Sequence, residues 1–314
     1  SCPNVAARFL DDLVEGVRLA RPLKIVVATG NGTSGLFAPQ LLERIGCEVV
    51  PLHCDLDWTF PNYNPNPEDH TMLVSVREEV KRTGADIGFA FDGDGDRLGV
   101  IDDEGVELFA DKMGLLIARD LSRTYPNSKF VVDVKSTGLF ERDEVLAARG
   151  CTVDYWITGH SYIKRRVHEL GALAGFEKSG HYFPAPPIGG GYDDAMRSAL
   201  LVAQLLDHTG KKLSALRREL PRTWQSLTMS PSCPDDKKYG VVQKLRETYE
   251  QLHASGAAIC GRKIARLITV NGIRVVLDDG TWGLVRASSN QPVLVVVVES
   301  PTSAEMMKAM FYEV

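Results

Sequence analysis

Residues 87–97 read IGFAFDGDGDR, in which a short run of apolar and glycine residues leads directly into an acidic, glycine-rich turn. An apolar run of this length predicts a buried strand over Ile87–Phe91. Two comparable strands are predicted before it, at Lys24–Ala28 and Glu48–Leu52, with turn or helix patterns between them. Strands that alternate with helices favour parallel pairing and right-handed crossovers, and therefore an α/β domain.

The helical patterns of this first block end at glycines. One helix is predicted over residues 36–45, with Gly46 after it, and another around Leu73, Val76 and Val80 that ends at Gly84. Between the second strand and this helix, residues 60–69 contain three prolines and predict an extended loop.

The same alternation continues through a second block. Helices are predicted near residues 112–122, 140–149 and 162–170, and strands at 129–134, 152–158 and 172–176. A long helix is predicted over Ala195–Asp207, capped by Asp193 or Asp194. The two blocks therefore predict two similar α/β three-layer domains with mixed sheets, 1–104 and 105–225.

The composition changes after about residue 222. Residues 229–236 are rich in Pro, Ser and Cys and predict a linker. A polar helix (237–252), four strands (264–270, 273–277, 282–286 and 293–299) and a closing helix from Ser303 are predicted next. This pattern predicts a small α+β domain over 226–314.

Bulk properties exclude several classes of function. The net charge of −5 and the pI near 5.8 give no basic field for nucleic acid or an anionic membrane. The longest apolar run, Val293–Val298, is far shorter than the roughly 20 residues of a membrane span. Six scattered cysteines, with no C-x-x-C pair, predict free thiols in a reducing compartment. With no visible signal peptide, we expect a cytoplasmic protein.

The acidic turn is the strongest single motif. Asp92, Asp94 and Asp96 alternate with glycines, so that their carboxylates are expected on one side of an extended chain. The glycines permit the positive φ values needed to curl the three oxygens inward. Three hard anionic ligands suit Mg²⁺ or Ca²⁺, and open coordination positions would allow such a metal to act on a phosphoryl group. Arg97 adds a cation suited to the same anion.

The acidic turn has two alternative interpretations. A solvated acidic turn would need no ligand. An EF-hand loop would require glycine at its sixth position and glutamate at its twelfth, where this chain has Arg97 and Asp103. The spacing therefore rejects an EF-hand and favours another kind of metal site.

A rival class follows from the first strand-to-helix turn. Residues 30–35 read GNGTSG, which matches the G-x-G-x-x-G pattern of a dinucleotide site, and Asp55 lies twenty residues further on. An NAD-dependent oxidoreductase would use this arrangement. Tight turns also recruit glycines, and nothing further along the chain supplies a logic for hydride transfer.

Three further stretches carry polar side chains at the ends of predicted strands. Residues 175–181 place Glu177, Ser179 and His181 on a glycine-flexed loop, where they can bind sugar hydroxyls and exchange a proton. His160 and Lys135 lie at two other strand ends, where an anion can be met. The alternatives are polar surface residues, helix caps and solvated lysines that bind no ligand.

The last block contains a candidate phosphate loop. Residues 286–292 read RASSNQP and connect two apolar strands. An arginine that can bind in a bidentate manner, followed by hydroxyls, an amide and turn N–H groups, is suited to phosphate. A polar hairpin loop without a ligand is the alternative.

Taken in order, these motifs resemble the α-D-phosphohexomutase family, and especially its bacterial phosphomannomutase/phosphoglucomutase branch. The resemblance rests on D-G-D-G-D-R (92–97), D-V-K-S-T (133–137), T-G-H-S (158–161), G-F-E-K-S-G-H (175–181) and R-A-S-S-N-Q-P (286–292). Members of the family that this chain resembles have four domains around a cleft. By that likeness, the three blocks here look like domains two, three and four.

The resemblance implies a role for each candidate residue. It implies Mg²⁺ ligands at Asp92, Asp94 and Asp96, with Arg97 beside a phosphoserine and His181 as the acid or base. Substrate binding is implied for Lys135, His160, Glu177, Ser179, Arg286, Ser288, Ser289 and Asn290. The implied reaction is reversible phosphate transfer between C1 and C6 of a hexose, with a hexose 1,6-bisphosphate as intermediate and activator. Hexose phosphates are thus the expected small-molecule partners.

One departure concerns the nucleophile. The family carries its phosphorylated serine in a T-x-S-H-N-P-type loop of its first domain, and no Ser-His-Asn-Pro occurs among these residues. We therefore expect the serine-bearing domain to be missing from this chain, and the chain alone to be inactive. A non-catalytic module that binds sugar phosphate and Mg²⁺ is the alternative.

Overall fold

The computed structural model describes residues 4–314, which divide into two compact units. The first unit comprises the described residues up to Val132, together with Glu144–Asp154 and His160–Leu220. The second comprises Asp133–Asp143, Tyr155–Gly159 and Pro221–Val314. Two short segments from the middle of the chain therefore group with its C-terminal part.

The first unit contains a five-stranded sheet. Its strands are β1 (Lys24–Ala28), β2 (Glu48–Leu52), β3 (Ile87–Phe91), β4 (Leu98–Asp102) and β5 (Glu107–Leu108). They lie in the order β2-β1-β3-β4-β5, and β1 pairs in parallel with both β2 and β3, as predicted. The unpredicted β4 runs antiparallel to β3, with Phe91 opposite Leu98. Residues 92–97 are therefore the connection of a β-hairpin.

Three helices accompany this sheet: α1 (Val5–Val14), α2 (Ala38–Arg44) and α3 (His70–Thr83). In α3 the Asp69 side chain accepts a hydrogen bond from the Met72 N–H, Val76 and Val80 are fully buried, and Gly84 ends the helix at φ 64°. The helix predicted over 36–45 is shorter, because a 3₁₀ turn, Thr33–Leu36, precedes α2. Helix α1 is not among the predicted elements.

A second sheet has four strands in the order β7-β6-β8-β9. These are β6 (Lys129–Asp133), β7 (Thr152–Trp156), β8 (Ala174–Phe176) and β9 (Tyr182–Pro184). The helices around it are α4 (Ala110–Thr124), α5 (Glu144–Ala148), α6 (His160–Leu170), α7 (Ala195–Thr209) and α8 (Leu213–Glu219). The single helix predicted over 140–149 is wrong, because Asp143 is extended and separates a 3₁₀ turn, Gly138–Arg142, from α5.

The C-terminal part forms a six-stranded antiparallel sheet in the order β10-β15-β14-β13-β12-β11. Its strands are β10 (Trp224–Gln225), β11 (Ala258–Ile259), β12 (Arg262–Ile268), β13 (Ile273–Leu277), β14 (Trp282–Ala287) and β15 (Leu294–Ser300). Two helices belong to it, α9 (Asp235–Ser255) and α10 (Ala304–Glu313). Sheets of mixed pairing followed by this α+β part confirm the predicted mixed α/β class.

Both faces of this sheet are covered. On one face, Val275 and Val298 pack in a cluster with Tyr249 of α9 and Met310 of α10. On the other face, a separate cluster of Trp282, Leu284, Val295 and Val297 packs against Val134, which follows β6. The predicted linker at 229–236 is attached to the same sheet, because Met229 bridges to Val296 and Ser232 to Val293.

The glycine-rich turn after β1 is shaped by close contacts within the chain. A Cβ atom added at Gly35 would lie 2.1 Å from the carbonyl oxygen of Cys54, and one at Gly30 would lie 2.9 Å from side-chain atoms of Tyr63 and Pro65. Such distances leave no room for a side chain. The glycines are therefore accounted for by packing of the turn on its own chain.

The close approach at Gly35 predicts a large effect of a single methyl group. We expect Gly35→Ala to lower the free energy of unfolding by about 2 kcal/mol or more, because the backbone around Cys54 must shift. The matched control is Gly240→Ala in α9, where an added Cβ meets nothing within 4 Å. There the change should raise stability by about 0.5–1 kcal/mol. Urea unfolding measures both, and equal stability of Gly35→Ala and the wild type would contradict the packing argument.

The described cysteines, Cys47, Cys54, Cys151, Cys233 and Cys260, carry free thiols, and Cys2 lies outside the described residues. Burial raises the pKa of the Cys47 thiol to about 11, so that this thiol stays protonated near neutral pH. Within residues 4–314, none of the helices combines the length and the apolar character needed to cross a bilayer.

Candidate functional site

The aspartate turn, residues 92–97, curls around the carboxylate of its first residue. Oδ1 of Asp92 accepts hydrogen bonds from the N–H groups of Gly95, Asp96 and Arg97, at 3.0, 3.0 and 3.1 Å. Gly95 adopts φ 82°, which a residue with a side chain rarely does. The turn is therefore a closed loop rather than an extended segment, and Gly95 has the positive φ that the glycines of the motif predict.

Three carboxylates of this turn can share one cation. Asp92, Asp94 and Asp96 each offer an oxygen, and these oxygens lie within 4.8 Å of one another. Asp92 is buried and fixed by the turn, whereas Asp94 is exposed and open to solvent. A cluster of hard, anionic oxygens with one open side is the donor set that Mg²⁺ accepts in proteins, so the residues present fit this metal.

The buried and half-buried aspartates of the turn differ electrostatically. Burial raises the pKa of Asp92 to about 6, although hydrogen bonds from Arg97 oppose the rise. The hydrogen bond with His181 lowers the pKa of Asp96 to about 2. Asp96 is therefore charged near neutral pH, whereas keeping Asp92 charged without a cation costs free energy.

Arg97 is fixed by two neighbours. Its Nε donates to Oδ2 of Asp92 at 2.7 Å, and its Nη1 donates to Oδ1 of Asn66 at 3.1 Å. Sequence reasoning did not identify Asn66, which lies in the proline-containing loop 60–69 and becomes a neighbour of Arg97 only through the fold. The guanidinium is thus held beside the aspartates in one orientation.

The candidate sugar loop, residues 175–181, is joined to the aspartate turn by backbone pairing. Arg97 and His181 form an antiparallel bridge, and the N–H of Leu98 donates to the carbonyl oxygen of Gly180 at 3.0 Å. Arg97 and Glu177 are 80 positions apart in the chain (177 − 97), yet the two motifs are neighbours in the first unit.

His181 lies between the two motifs. Its Nε2 is 3.5 Å from an oxygen of Asp96, and its Nδ1 is 3.1 Å from an oxygen of Glu177 and 3.0 Å from Oγ of Ser179. Burial lowers the pKa of His181, but hydrogen bonds with Asp96 and Glu177 outweigh that effect and raise the pKa to about 9. The imidazole is therefore positioned to donate a proton near neutral pH.

His160 is the first residue of α6 and reaches the same region. The rings of His160 and His181 stack with centroids 5.9 Å apart, and Nδ1 of His160 is 3.0 Å from Oδ2 of Asp193. Nζ of Lys164 is 3.6 Å from the other oxygen of Asp193. Asp194, not Asp193, caps α7. Asp193 is therefore a site residue that the sequence presented only as one of two possible helix caps.

The remaining predicted residues belong to the second unit. Lys135 is buried, with its amine 3.6 Å from Oδ2 of Asp133. Arg286 is the half-buried penultimate residue of β14, and its Nη1 donates to the carbonyl oxygen of Ala287. Both cations lie at ends of strands, as the sequence predicts, and each is available to an anionic ligand only through part of its side chain.

The candidate phosphate loop, residues 286–292, is organised by Ser288. Its Oγ accepts hydrogen bonds from the N–H groups of Asn290 and Gln291, at 3.3 and 3.2 Å. Ser289 and Asn290 are exposed. In this structure Ser288 shapes the loop, whereas Ser289 and Asn290 present their polar groups outward.

A buried lysine supports this loop from below. Nζ of Lys238, on α9, donates to the carbonyl oxygen of Gln291 at 3.1 Å and to Asp235 at 2.5 Å. The Lys238 side chain is only 4% exposed. In the sequence, a lysine within a polar helix predicts a solvated side chain, so nothing in the sequence indicates this contact.

The glycine-rich turn supports the aspartate turn. The N–H and the hydroxyl of Thr33 both donate to the carbonyl oxygen of Gly93 at 3.0 Å, and a Cβ added at Gly32 would lie 2.8 Å from that oxygen. These contacts account for the G-x-G-x-x-G pattern through the positioning of residues 92–97. They require no dinucleotide.

This contact predicts a role for Thr33 in metal binding. Thr33→Val keeps the shape of the side chain and removes the hydroxyl donor, so the aspartate turn loses one of its two anchors. We expect the affinity for Mg²⁺ to fall about tenfold, as it does for partners that orient metal ligands. Calorimetric titration measures the affinity, with Thr59→Val on an exposed loop as the control. Unchanged affinity in Thr33→Val would show that the hydroxyl is dispensable.

Comparison with known proteins identifies the class. Models of the phosphoglucomutase/phosphomannomutase family match three successive parts of the chain: alpha/beta/alpha domain II at residues 7–105, alpha/beta/alpha domain III at 109–224 and the C-terminal domain at 233–311. The chain therefore belongs to the phosphoglucomutase/phosphomannomutase family.

Individual relatives agree with this membership. The chain is 36% identical over 305 residues to a phosphomannomutase/phosphoglucomutase of Pseudomonas putida, which covers 97% of this chain and 63% of the relative. It is 33% identical over 303 residues to the enzyme of the same name from Pseudomonas aeruginosa, with 96% and 62% covered. A crystal structure of a family protein from Burkholderia thailandensis superposes with a TM-score of 0.86 at 32% identity, covering 98% of this chain and 62% of that one. The chain thus spans under two thirds of these relatives.

Proposed function

We propose that this chain is the metal-binding and sugar-phosphate-binding portion of a phosphohexomutase, a phosphomannomutase/phosphoglucomutase. The reaction is reversible transfer of phosphate between C1 and C6 of a hexose. The observation that carries the proposal is the backbone pairing of Arg97 with His181, which joins a three-carboxylate turn to a loop of sugar-binding side chains.

In the first unit, Asp92, Asp94 and Asp96 are the proposed ligands of Mg²⁺. When bound, the cation neutralises charge on the phosphoryl group that is being transferred. Arg97, held by Asp92 and Asn66, adds a fixed positive charge for the same group.

Four further side chains would act on the sugar itself. Glu177 and Ser179 bind hydroxyls of the hexose, and His160 contacts it from the start of α6. His181 exchanges the proton, since its ring lies within 3.5 Å of Asp96 and 3.1 Å of Glu177.

In the second unit, the loop 286–292 binds the phosphate group that is not being transferred. Arg286 supplies charge, Ser289 and Asn290 supply exposed polar groups, and Ser288 fixes the turn through its hydroxyl. Lys135 adds a second cation for the substrate.

The transfer itself needs a phosphoserine. Its P–O bond breaks as a new P–O bond forms to the free hydroxyl of a hexose monophosphate, and the hydroxyl proton passes to the departing serine oxygen. The hexose 1,6-bisphosphate so formed rotates to the opposite orientation and returns its other phosphate to the serine. No Ser-His-Asn-Pro occurs among the 314 residues, so in this proposal the serine comes from sequence that is not among them.

Two subsidiary proposals accompany this function. The domain limits 1–104, 105–225 and 226–314 are retained, supported by three family-model matches that begin and end near them. A reducing cytoplasmic location is supported by free thiols at all described cysteines. A non-catalytic module that binds sugar phosphate and Mg²⁺ is the alternative function, favoured by the partial coverage of the relatives.

The test is a coupled assay of glucose 1-phosphate and mannose 1-phosphate conversion, with Mg²⁺ and glucose 1,6-bisphosphate added. The natural gene product and the 314-residue chain are assayed side by side, and an intact-mass measurement of the gene product looks for one phosphate. We expect conversion by the gene product and none by the chain. A gene product without mutase activity would refute the function, and activity of the chain alone would refute the external serine.

A further inference from the structure

A fully buried arginine lies beside the predicted substrate lysine. Arg274, on β13, is 0% exposed, and its guanidinium carbon lies 3.7 Å from the ring centre of Trp282 and 4.4 Å from that of Tyr155. Its Nη1 donates to the carbonyl oxygens of Val134 and Ser136, both at 2.8 Å. These are the residues immediately before and after Lys135.

A buried glutamate holds the next two residues of the same segment. Oε1 of Glu299, on β15, accepts hydrogen bonds from the hydroxyl of Thr137 at 3.0 Å and from the N–H of Gly138 at 2.9 Å. It also accepts one from Nε1 of Trp282 at 3.2 Å. Burying a charge is costly unless hydrogen bonds compensate it, and here residues 134–138 supply much of that compensation.

The register of the sheet places these charges on the face that carries the phosphate-loop arginine. Arg274 lies opposite Leu284, and Trp282 lies opposite Glu299. Side chains alternate along a strand, so Trp282, Leu284 and Arg286 of β14 share one face. Arg286 therefore projects from the same face on which the segment around Lys135 packs.

We propose that Arg274, together with Glu299, is a positioning residue that fixes the main chain on both sides of Lys135. The segment 134–138 is thereby joined to the sheet that carries Arg286 by hydrogen bonds from two buried side chains. The role of Lys135 as a ligand of the sugar phosphate rests on the proposed function. The holding of Lys135 by Arg274 does not depend on it.

The arginine is suited to this task by its shape. A single guanidinium nitrogen can donate to two carbonyl groups while the planar group stacks between two aromatic rings. Lysine keeps the charge but lacks the planar fork, and methionine keeps the bulk but donates no hydrogen bond. Comparing arginine, lysine and methionine at position 274 therefore separates the effects of charge, hydrogen bonding and packing.

The test compares Arg274→Met and Arg274→Lys with Arg246→Met, at a partly exposed α9 residue paired with Glu250. Hydrogen exchange of the amides at 134–139 and acetylation of Lys135, read by mass spectrometry against Lys129, report on the segment. Calorimetric titration with mannose 1-phosphate reports on binding. We expect Arg274→Met to raise exchange and Lys135 acetylation about tenfold and to weaken binding about tenfold, with Arg274→Lys intermediate.

Each outcome decides a separate point. Exchange and acetylation in folded Arg274→Met that match those of Arg246→Met would overturn the positioning role. If Arg274→Met does not fold, Arg274→Lys decides by the same two readouts, and wild-type values there would overturn it. A wild-type chain that does not bind mannose 1-phosphate would refute the proposed function, while exchange and acetylation would still decide the role of Arg274.

Discussion

Replacing Asp94 by asparagine is expected to lower the affinity of the chain for Mg²⁺ by at least about tenfold and to leave the fold intact. Asp94 is exposed, and its carboxylate completes a cluster whose oxygens lie within 4.8 Å of one another. The change removes one of three negative charges from the proposed ligand set. The turn itself is held by Asp92, which the substitution leaves in place.

The measurement is calorimetric titration with Mg²⁺, repeated with Mn²⁺ followed by electron paramagnetic resonance. Asp55→Asn is the matched control, because Asp55 is also an exposed aspartate of the first unit. Asp55 is, in addition, the residue that a dinucleotide site would use. Equal loss of affinity in both variants, or none in Asp94→Asn, would contradict a specific cation site in the aspartate turn.

Replacing Arg286 by methionine is expected to weaken binding of mannose 1-phosphate by about 10- to 100-fold. A hydrogen bond to a charged group contributes about 1.5–3 kcal/mol, and an arginine can form two such bonds to one phosphate. Arg286 is half-buried at the end of β14, next to a loop whose turn is fixed by Ser288. The loss should therefore appear in binding more than in stability.

Two further variants separate charge from geometry. Arg286→Lys keeps a positive charge without the planar fork and should bind with intermediate affinity. Arg246→Met removes a partly exposed arginine of the same unit and should bind as the wild type does. Wild-type affinity in Arg286→Met would remove the loop 286–292 from the account of phosphate binding.

The sequence predicts the fold well where periodicity alone is decisive. The strands β1, β2 and β3 have the predicted limits, because each is a short apolar run bounded by turn residues. The antiparallel β4 and the break at Asp143 were not predicted, because both depend on tertiary pairing or local backbone geometry rather than on apolar spacing. The grouping of residues 133–143 with the C-terminal unit also depends on tertiary contacts. Arg274 on β13 and Glu299 on β15, both buried, form hydrogen bonds with this segment.

The candidate site shows the same division. Asp92, Glu177 and Arg286 stand in local motifs whose chemistry is visible without a structure. Asn66 and Asp193 are visible only in the fold, because each acts through a neighbour that lies far away in the chain. Lys238 and Arg274 look like ordinary surface cations in the sequence, although the structure buries both.

The most direct measurement of the central claim is a crystal of the chain soaked with Mn²⁺ and mannose 1-phosphate, with anomalous diffraction used to locate the cation. The account predicts a manganese peak bonded to carboxylate oxygens of Asp92, Asp94 and Asp96, and sugar hydroxyls within hydrogen-bond distance of Glu177 and Ser179. A cation bound elsewhere, or a sugar that avoids the loop 175–181, would contradict it.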